Sequence, residues 1–192
     1  MTQTKPIIGV LALQGAVEPH RAHIEACGAE FKAVKTAKDF AEVDAFILPG
    51  GESTTMLKLI ENFGLWDILN EEFSKKPVWG ICAGSILLAE KVMNPAQKSF
   101  GLLSMTVERN GYGRQLDSHH DEVNGYKVSF IRAPIIKDAA DDIDVLAEQD
   151  GNPVWVQKGN IMASTFHPEL TMDYPSPMHK AFVDFISTAA KF

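Results

Sequence analysis

The chain has two cysteines in 192 residues, Cys27 and Cys82, too few for a disulfide framework and in keeping with a reducing compartment. Long apolar runs are missing too. The first, IIGVLAL at 7–13, lacks the small-residue cleavage pattern of a signal peptide, and no run approaches the roughly 18 residues of a membrane span. These absences predict a soluble, cytoplasmic protein without membrane contact. Positive charge is also in short supply: 18 Lys and Arg stand against 25 Asp and Glu, a formal charge of −7. Nothing here offers a phosphate backbone a basic footprint, so small molecules or other proteins are expected as partners and nucleic acid is not. Linkers, repeats and low-complexity tracts are absent, and the polar stretch KDAADDID is short enough to read as a loop. At roughly 100–200 residues per domain, residues 1–192 are expected to form one domain.

What the chain does contain is an alternation of apolar runs and helical patterns, as in parallel βαβ units. PIIGVLAL reads as a strand buried on both faces, followed by a helix over PHRAHIEACG with Pro19 in its first turn and Gly28 as its stop. FKAVKT and DAFILPGG read as the second and third strands, STTMLKLIENF and LWDILNEEF as helices, PVWGI as the fourth strand and AGSILLAEKV as the helix after it. The second half changes character. SMTVERN, YKVSFIRA, DVLAEQ, VWVQKG and IMASTF are short strand candidates, and the turn signals Asn124-Gly125, Asp150-Gly151 and Gly159-Asn160 favour antiparallel pairing. The chain closes with an amphipathic pattern carrying Phe182, Phe185 and Ile186 on one side. The sum is an α/β protein with a mixed central sheet and helices on both faces.

In such sheets ligands bind beyond the carboxyl ends of the strands, at a topological switch point. Three unusual loops fall there: QGA after strand one, PGGESTT after strand three and CAG after strand four. Gly80-Ile81-Cys82-Ala83-Gly84 has the form of a sharp strand-to-helix elbow, whose glycines permit a tight turn and lift the central side chain into a cleft. A cysteine there meets the positive end of a helix dipole, which favours the thiolate. Cys27, beside the Gly28 stop, reads as structural.

A thiol nucleophile needs a base, and the chain has six histidines. His20, His23 and His179 sit among polar residues in helical patterns and read as solvated surface. The contiguous SHHDE at 118–122 lacks metal-ligand spacing and reads as a solvated loop. His167 is different, because Pro168 restrains it to extended geometry and residues i and i+2 of an extended segment project to the same side. Glu169 can then hold one imidazole nitrogen while the other faces the thiol, which is the logic of nucleophile, base and orienter. Backbone N–H groups near Gly51, with that of Ala83, are candidates for an oxyanion hole. The glycine pair could instead cradle phosphate, but the lysine of a nucleotide-binding loop is missing.

A G-x-C-x-G elbow, an upstream Pro-Gly-Gly loop and a downstream His-Pro-Glu together resemble the triad-type, or class I, glutamine amidotransferases. GVLALQGAVEPH, LPGGESTTM, GICAG, VERNGYGRQLDS, FIRAP and STFHPEL, spread from residue 9 to residue 170, resemble more narrowly the glutaminase subunits of two-component pyridoxal 5′-phosphate synthases. The resemblance implies a flavodoxin-like three-layer fold of the class I amidotransferase kind. It implies Cys82 as nucleophile, His167 as acid and base, and Glu169 as orienter, with Gly51, Glu52, Ser53, Arg109, Ile131 and Arg132 binding L-glutamine. No metal or organic cofactor is implied. It further implies a (β/α)8-barrel synthase partner that receives ammonia, and a glutaminase that is weak until docked. Two positions depart from the family pattern: Gly111-Tyr112 stands where Ser or Ala and then Phe are more usual, and Ile81 where Thr is common. Two rival readings stand beside this one, an amidotransferase subunit feeding another acceptor and a non-catalytic α/β module with a sensor cysteine.

Overall fold

The structure, a computed structural model, describes residues 5–111 and 118–189. The expected alternation is present at the start: β1 (Ile7–Leu11), α1 (His20–Ala26), β2 (Glu30–Val34), α2 (Ala37–Ala41), β3 (Ala45–Leu48), α3 (Ser53–Asn62), α4 (Trp66–Lys75), β4 (Val78–Ile81) and α5 (Ala83–Leu88). Gly28 ends α1 in the left-handed region at φ 81°, with its N–H on the Glu25 carbonyl. Helix α2 was not expected. A capping box starts it: Asp39 N–H donates to Thr36 Oγ1, and the Asp39 carboxylate accepts from the Thr36 N–H.

The remainder is β5 (Ala89–Met93), β6 (Leu103–Glu108), β7 (Ser118–Val123), β8 (Tyr126–Ile131), β9 (Ile135–Ala139), β10 (Asp144–Gln149), β11 (Asn152–Lys158) and β12 (Ile161–Ser164), then a 3-10 turn at Pro168–Leu170 and α6 (Pro177–Ala189). Three expectations need correction. The helix expected over 83–92 stops at Leu88, because Ala89 turns extended at ψ 149° and β5 pairs in parallel with β6. The stretch KDAADDID, expected as a loop, begins inside β9, whose Asp138 pairs with Thr106 of β6. SHHDE is strand rather than loop, paired antiparallel with β8 through the Asn124-Gly125 turn; both turn residues have positive φ, which such a two-residue hairpin requires. Residues 190–192, the tail of the expected last helix, and Tyr112 lie outside the described residues.

The main sheet runs β10-β11-β12-β4-β3-β1-β2. β2, β1, β3, β4 and β12 are parallel, while β11 is antiparallel to both of its neighbours. Side chains alternate across it with the period of a strand. Leu11, Phe46, Leu48 and Val78 pack on one face with Met56 and Ile60 of α3, Phe73 of α4 and Leu87 of α5. Ile8, Val10, Ile47, Trp79 and Ile81 pack on the other with Ile24 of α1 and Phe182 and Ile186 of α6. Helices therefore cover both faces. Each fully buried aliphatic or aromatic chain in these layers contributes on the order of 1.5–3 kcal/mol. Because the chain order reverses at β1, the loops after β1 and β3 diverge to opposite sides and leave a crevice between them, and β4 and β12 end beside it.

Candidate active site

Four adjacent parallel strands deliver their C-terminal loops to one cavity of about 390 Å³. β1 brings Gln14 and Ala16, β3 brings Gly50 to Ser53, β4 brings Cys82 and Ala83, and the segment after β12 brings His167. Arg109, Ile131 and Arg132 close the rim from the second half of the chain.

Cys82 sits at the elbow with φ 49° and ψ −103°, a conformation that costs a non-glycine residue energy and that the surroundings must impose. They do so through a short parallel-sheet bond, Cys82 N–H to the Ser164 carbonyl at 2.8 Å, and through α5, which starts at the next residue. The flanking glycines are required by contact. A Cβ on Gly84 would lie 2.1 Å from the Leu48 carbonyl oxygen, and one on Gly80 would lie 2.6 Å from the Gly84 backbone. The helix can thus press directly on β3 and β4. Cys82 is buried, and its Sγ lies 3.9 Å from the Ile131 carbonyl. Ile81, one of the two departures, is fully buried in the core beneath it.

His167 continues from β12 and is fixed by a backbone bridge to β8, donating its N–H to the Ser129 carbonyl at 2.8 Å. Its φ of −108° and ψ of 91° are extended, as Pro168 demands. Its Nδ1 lies 2.7 Å from Glu169 Oε1, and the ring lines the same cavity as Cys82. Burial disfavours the imidazolium, but the neighbouring Cys82, the hydrogen bond that Glu169 accepts and the charge of Glu169 outweigh it and raise His167 to about 10. Burial likewise pushes Glu169 up, yet its bond to His167 and the charges of His20 and His167 bring it below the ordinary carboxylate value. Glu169 lies behind His167 and does not line the cavity.

The remaining expected residues also converge. Glu52 and Arg132 form an ion pair at the cavity mouth, and the Glu52 N–H donates to Gln14 Oε1 at 2.8 Å. Arg109 donates to Thr54 Oγ1 at 2.8 Å, which ties the guanidinium to the first turn of α3. Gly51 and Ser53 also line the cavity wall, Ser53 bonded to Gln97 Oε1 at 3.0 Å. The Gly50 carbonyl accepts from Ala16 N–H at 2.9 Å, and peptide planarity points the Gly51 N–H the opposite way. Gly111, the other departure that can be described, lies against Ile135: a Cβ there would come within 2.4 Å of Ile135 Cδ1.

Sequence reasoning missed Gln14 and Leu170 as individual lining residues, although the QGA loop was expected at the site. It also misplaced three histidines. His20, His23 and His179 are buried, not solvated, and lie between α1 and α6. The spacing that reveals this is present: His20, His23, Ile24 and Cys27 fall at i, i+3, i+4 and i+7, as do His179, Phe182, Val183 and Ile186. Cys27 is half-buried, and desolvation pushes its thiol up to about 11. His119 stacks on Phe130, and His120 bonds Ser129 Oγ at 3.0 Å, so each has a packing role in the β7–β8 hairpin.

The class that this architecture defines is the glutamine amidotransferases: a crystal structure described as a glutamine amidotransferase superposes with a TM-score of 0.85 at 37% identity, covering 94% of this chain and 98% of the other. The chain belongs to the SNO glutamine amidotransferase family, whose profile it matches over residues 10–188. It is 45% identical to the pyridoxal 5′-phosphate synthase subunit PdxT of Solibacter usitatus, with 92% of this chain and 97% of that one covered. To the PdxT subunit of Bacillus licheniformis it is 46% identical, with 93% and 94% covered. Among the described residues no helix is long and apolar enough to cross a membrane.

Proposed function

We propose that the chain is the glutaminase subunit of a pyridoxal 5′-phosphate synthase: it hydrolyses L-glutamine to L-glutamate and ammonia, in the cytoplasm, and passes the ammonia to a (β/α)8-barrel synthase subunit. The observation that carries this reading is the strained, buried Cys82 beside a histidine whose far nitrogen is held by a buried carboxylate at 2.7 Å. That arrangement supplies nucleophile, base and orienter in one place.

With Nδ1 engaged by Glu169, Nε2 of His167 is the nitrogen left for Cys82. His167 holds the proton that the Cys82 thiol gives up, and the sulfur attacks the side-chain carboxamide carbon of glutamine. Backbone N–H groups of Gly51 and Ala83 receive the oxyanion of the tetrahedral intermediate. His167 then returns its proton to the departing nitrogen, and ammonia leaves as the thioester forms. Water, activated by the same imidazole, cleaves the thioester to glutamate and restores the thiol.

The ends of the substrate need opposite charges, and the rim offers both. Arg109 and Arg132 suit the α-carboxylate, because a guanidinium can hold it with paired hydrogen bonds, and Glu52 suits the ammonium. Gly51, Ser53 and the Ile131 backbone complete the contacts. In water near neutral pH most ammonia would be protonated and useless as a nucleophile, which favours delivery to a docked acceptor. Glutamate release from L-glutamine by the chain alone and with its synthase subunit tests the reading. Release that requires both the synthase and Cys82 supports it; equal turnover with and without the synthase overturns the docked arrangement, and stimulation by a different acceptor enzyme reassigns the partner.

A further inference from the structure

The segment 93–98, which leaves β5, takes no part in the hydrolysis, yet it ties together two parts of the cavity lining. At one end the Met93 carbonyl accepts the Arg109 backbone N–H at 3.0 Å, and the Asn94 carbonyl accepts from Asn110 Nδ2 at 2.8 Å; Arg109 and Asn110 both line the cavity. At the other end Gln97 Oε1 accepts the Ser53 hydroxyl at 3.0 Å and the Thr54 hydroxyl at 3.4 Å, both in the first turn of α3. The two parts meet at Thr54, whose Oγ1 accepts from the Arg109 guanidinium at 2.8 Å. Beyond Gln97 the chain is anchored: Lys98 Nζ lies 3.7 Å over the Trp66 ring, and the Phe100 N–H donates to the Leu87 carbonyl at 2.7 Å.

Gln97 is a costly choice for a spacer. Its Nε2 is buried and among the described residues has no hydrogen-bond partner, so a methionine of similar length would fill the position without an unpaired donor. What methionine does not supply is the oxygen. We propose that Gln97 is a positioning residue for substrate recognition, whose Oε1 fixes the Ser53 hydroxyl and, through Thr54, the Arg109 guanidinium in the orientation that receives the amino-acid end of glutamine. The inference rests on the glutamine-hydrolysing reading given above.

The direction of these bonds decides what the substrate meets. Thr54 Oγ1 takes a proton from Arg109, so its own proton points elsewhere, and Gln97 Oε1 is the acceptor in reach. An amide oxygen has two lone pairs, and Ser53 donates its proton to the other. Turning the amide over would set its N–H groups toward a Thr54 oxygen that already holds a guanidinium proton. With its hydrogen committed to Gln97, the Ser53 hydroxyl offers only lone pairs to the cavity, which suits the substrate ammonium; a hydroxyl free to rotate would also present its hydrogen and repel that charge. Arg109, held to Thr54 through one nitrogen, keeps its remaining N–H groups for the α-carboxylate.

The test is the steady-state kinetics of glutamate release in the complex with the synthase subunit, with glutamine varied. Gln97→Met removes the oxygen and keeps the length. Its KM is expected to rise about tenfold while kcat stays within about twofold of wild type, because a hold on the unreacting end of the substrate is lost equally from ground state and transition state. Gln97→Ala carries the same expectation and replaces Gln97→Met should that variant fail to fold. In a Ser53→Ala/Thr54→Val background, where Gln97 has no hydroxyl to hold, adding Gln97→Met is expected to change KM by less than about twofold. An unchanged KM overturns the proposal, as does a kcat that falls at constant KM, the result expected of a segment that merely packs. A tenfold rise that persists in the Ser53→Ala/Thr54→Val background overturns it too, because Gln97 would then act by another route. Glutamate release that survives Cys82→Ala overturns the triad reading instead and leaves the KM comparison standing.

Discussion

Replacing Gly50 by alanine should disable the site without replacing a reacting group. Gly50 has no left-handed φ, so its backbone accepts a Cβ; the obstacle is His167. A Cβ would stand 2.2 Å from the ring's Cε1 and 2.8 Å from Nδ1, whereas ordinary contact begins near 3.4 Å. The ring must retreat by about 1.2 Å, or Gly50 must, and Gly50 is tied down by the Ala16 N–H on its carbonyl. A displacement of that size stretches the 2.7 Å bond to Glu169 toward the limit of a hydrogen bond and carries Nε2 away from the sulfur. Misplacement by about 1 Å costs roughly 100-fold in rate, or about 2.7 kcal/mol in the barrier. The assay is steady-state glutamate release at saturating glutamine with the synthase subunit present, with thermal denaturation run alongside. A folded Gly50→Ala protein that keeps kcat within about threefold of wild type refutes the placement of His167 over Gly50.

Other outcomes follow from the same geometry. Gly84→Ala puts a Cβ against the Leu48 carbonyl at 2.1 Å; overpacking at that contact is expected to cost about 2–3 kcal/mol and lower Tm by roughly 5–10 °C in a differential scan, and an unchanged Tm contradicts the close packing of α5 on β3. Stability should fall on acidification below pH 6.5. His20 is lowered to about 4 in the fold, so between those values the unfolded chain binds more protons and folding is favoured by raising the pH. The effect is on the order of 3 kcal/mol if fully expressed. Urea unfolding at pH 7 and pH 5 checks it, and His20→Gln should reduce the difference without abolishing it, because burial lowers His23 and His179 as well. His167 works in the opposite sense: raised to about 10, it contributes stability that is complete below about 6.5 and lost as pH rises to 10, so Glu169→Gln should reduce the alkaline loss of stability seen in the same titration.

The parts of the fold that the sequence showed are those where local signals and tertiary structure agree. β1, β3 and β4 are short apolar runs buried on both faces, each ending in an unusual glycine-containing loop, and such runs read as parallel strands without ambiguity. The elbow was legible because no other residue pair could replace Gly80 and Gly84 at those contacts. His167 and Glu169 were legible because Pro168 fixes the local backbone.

Elsewhere the deciding contact is distant in sequence. AEKV after Leu88 has helix-forming residues, yet Ala89–Met93 leaves the helix to pair with Leu103–Glu108. SHHDE has almost no apolar content, and only its pairing with Tyr126–Ile131 makes it a strand. The three histidines show a different limit. Arg21, Glu25 and Lys180 beside them are exposed, and that local polarity masked a helical stripe on which each imidazole lines up with Ile24 or Phe182.

The most direct test of Cys82 as nucleophile is the site of attack by a glutamine-mimicking electrophile, read by peptide mass spectrometry on the wild type and on His167→Ala. Rapid modification of Cys82 alone, lost or strongly slowed in His167→Ala, is the expected result. Modification that falls on Cys27, or that reaches Cys82 equally fast without His167, would contradict the account.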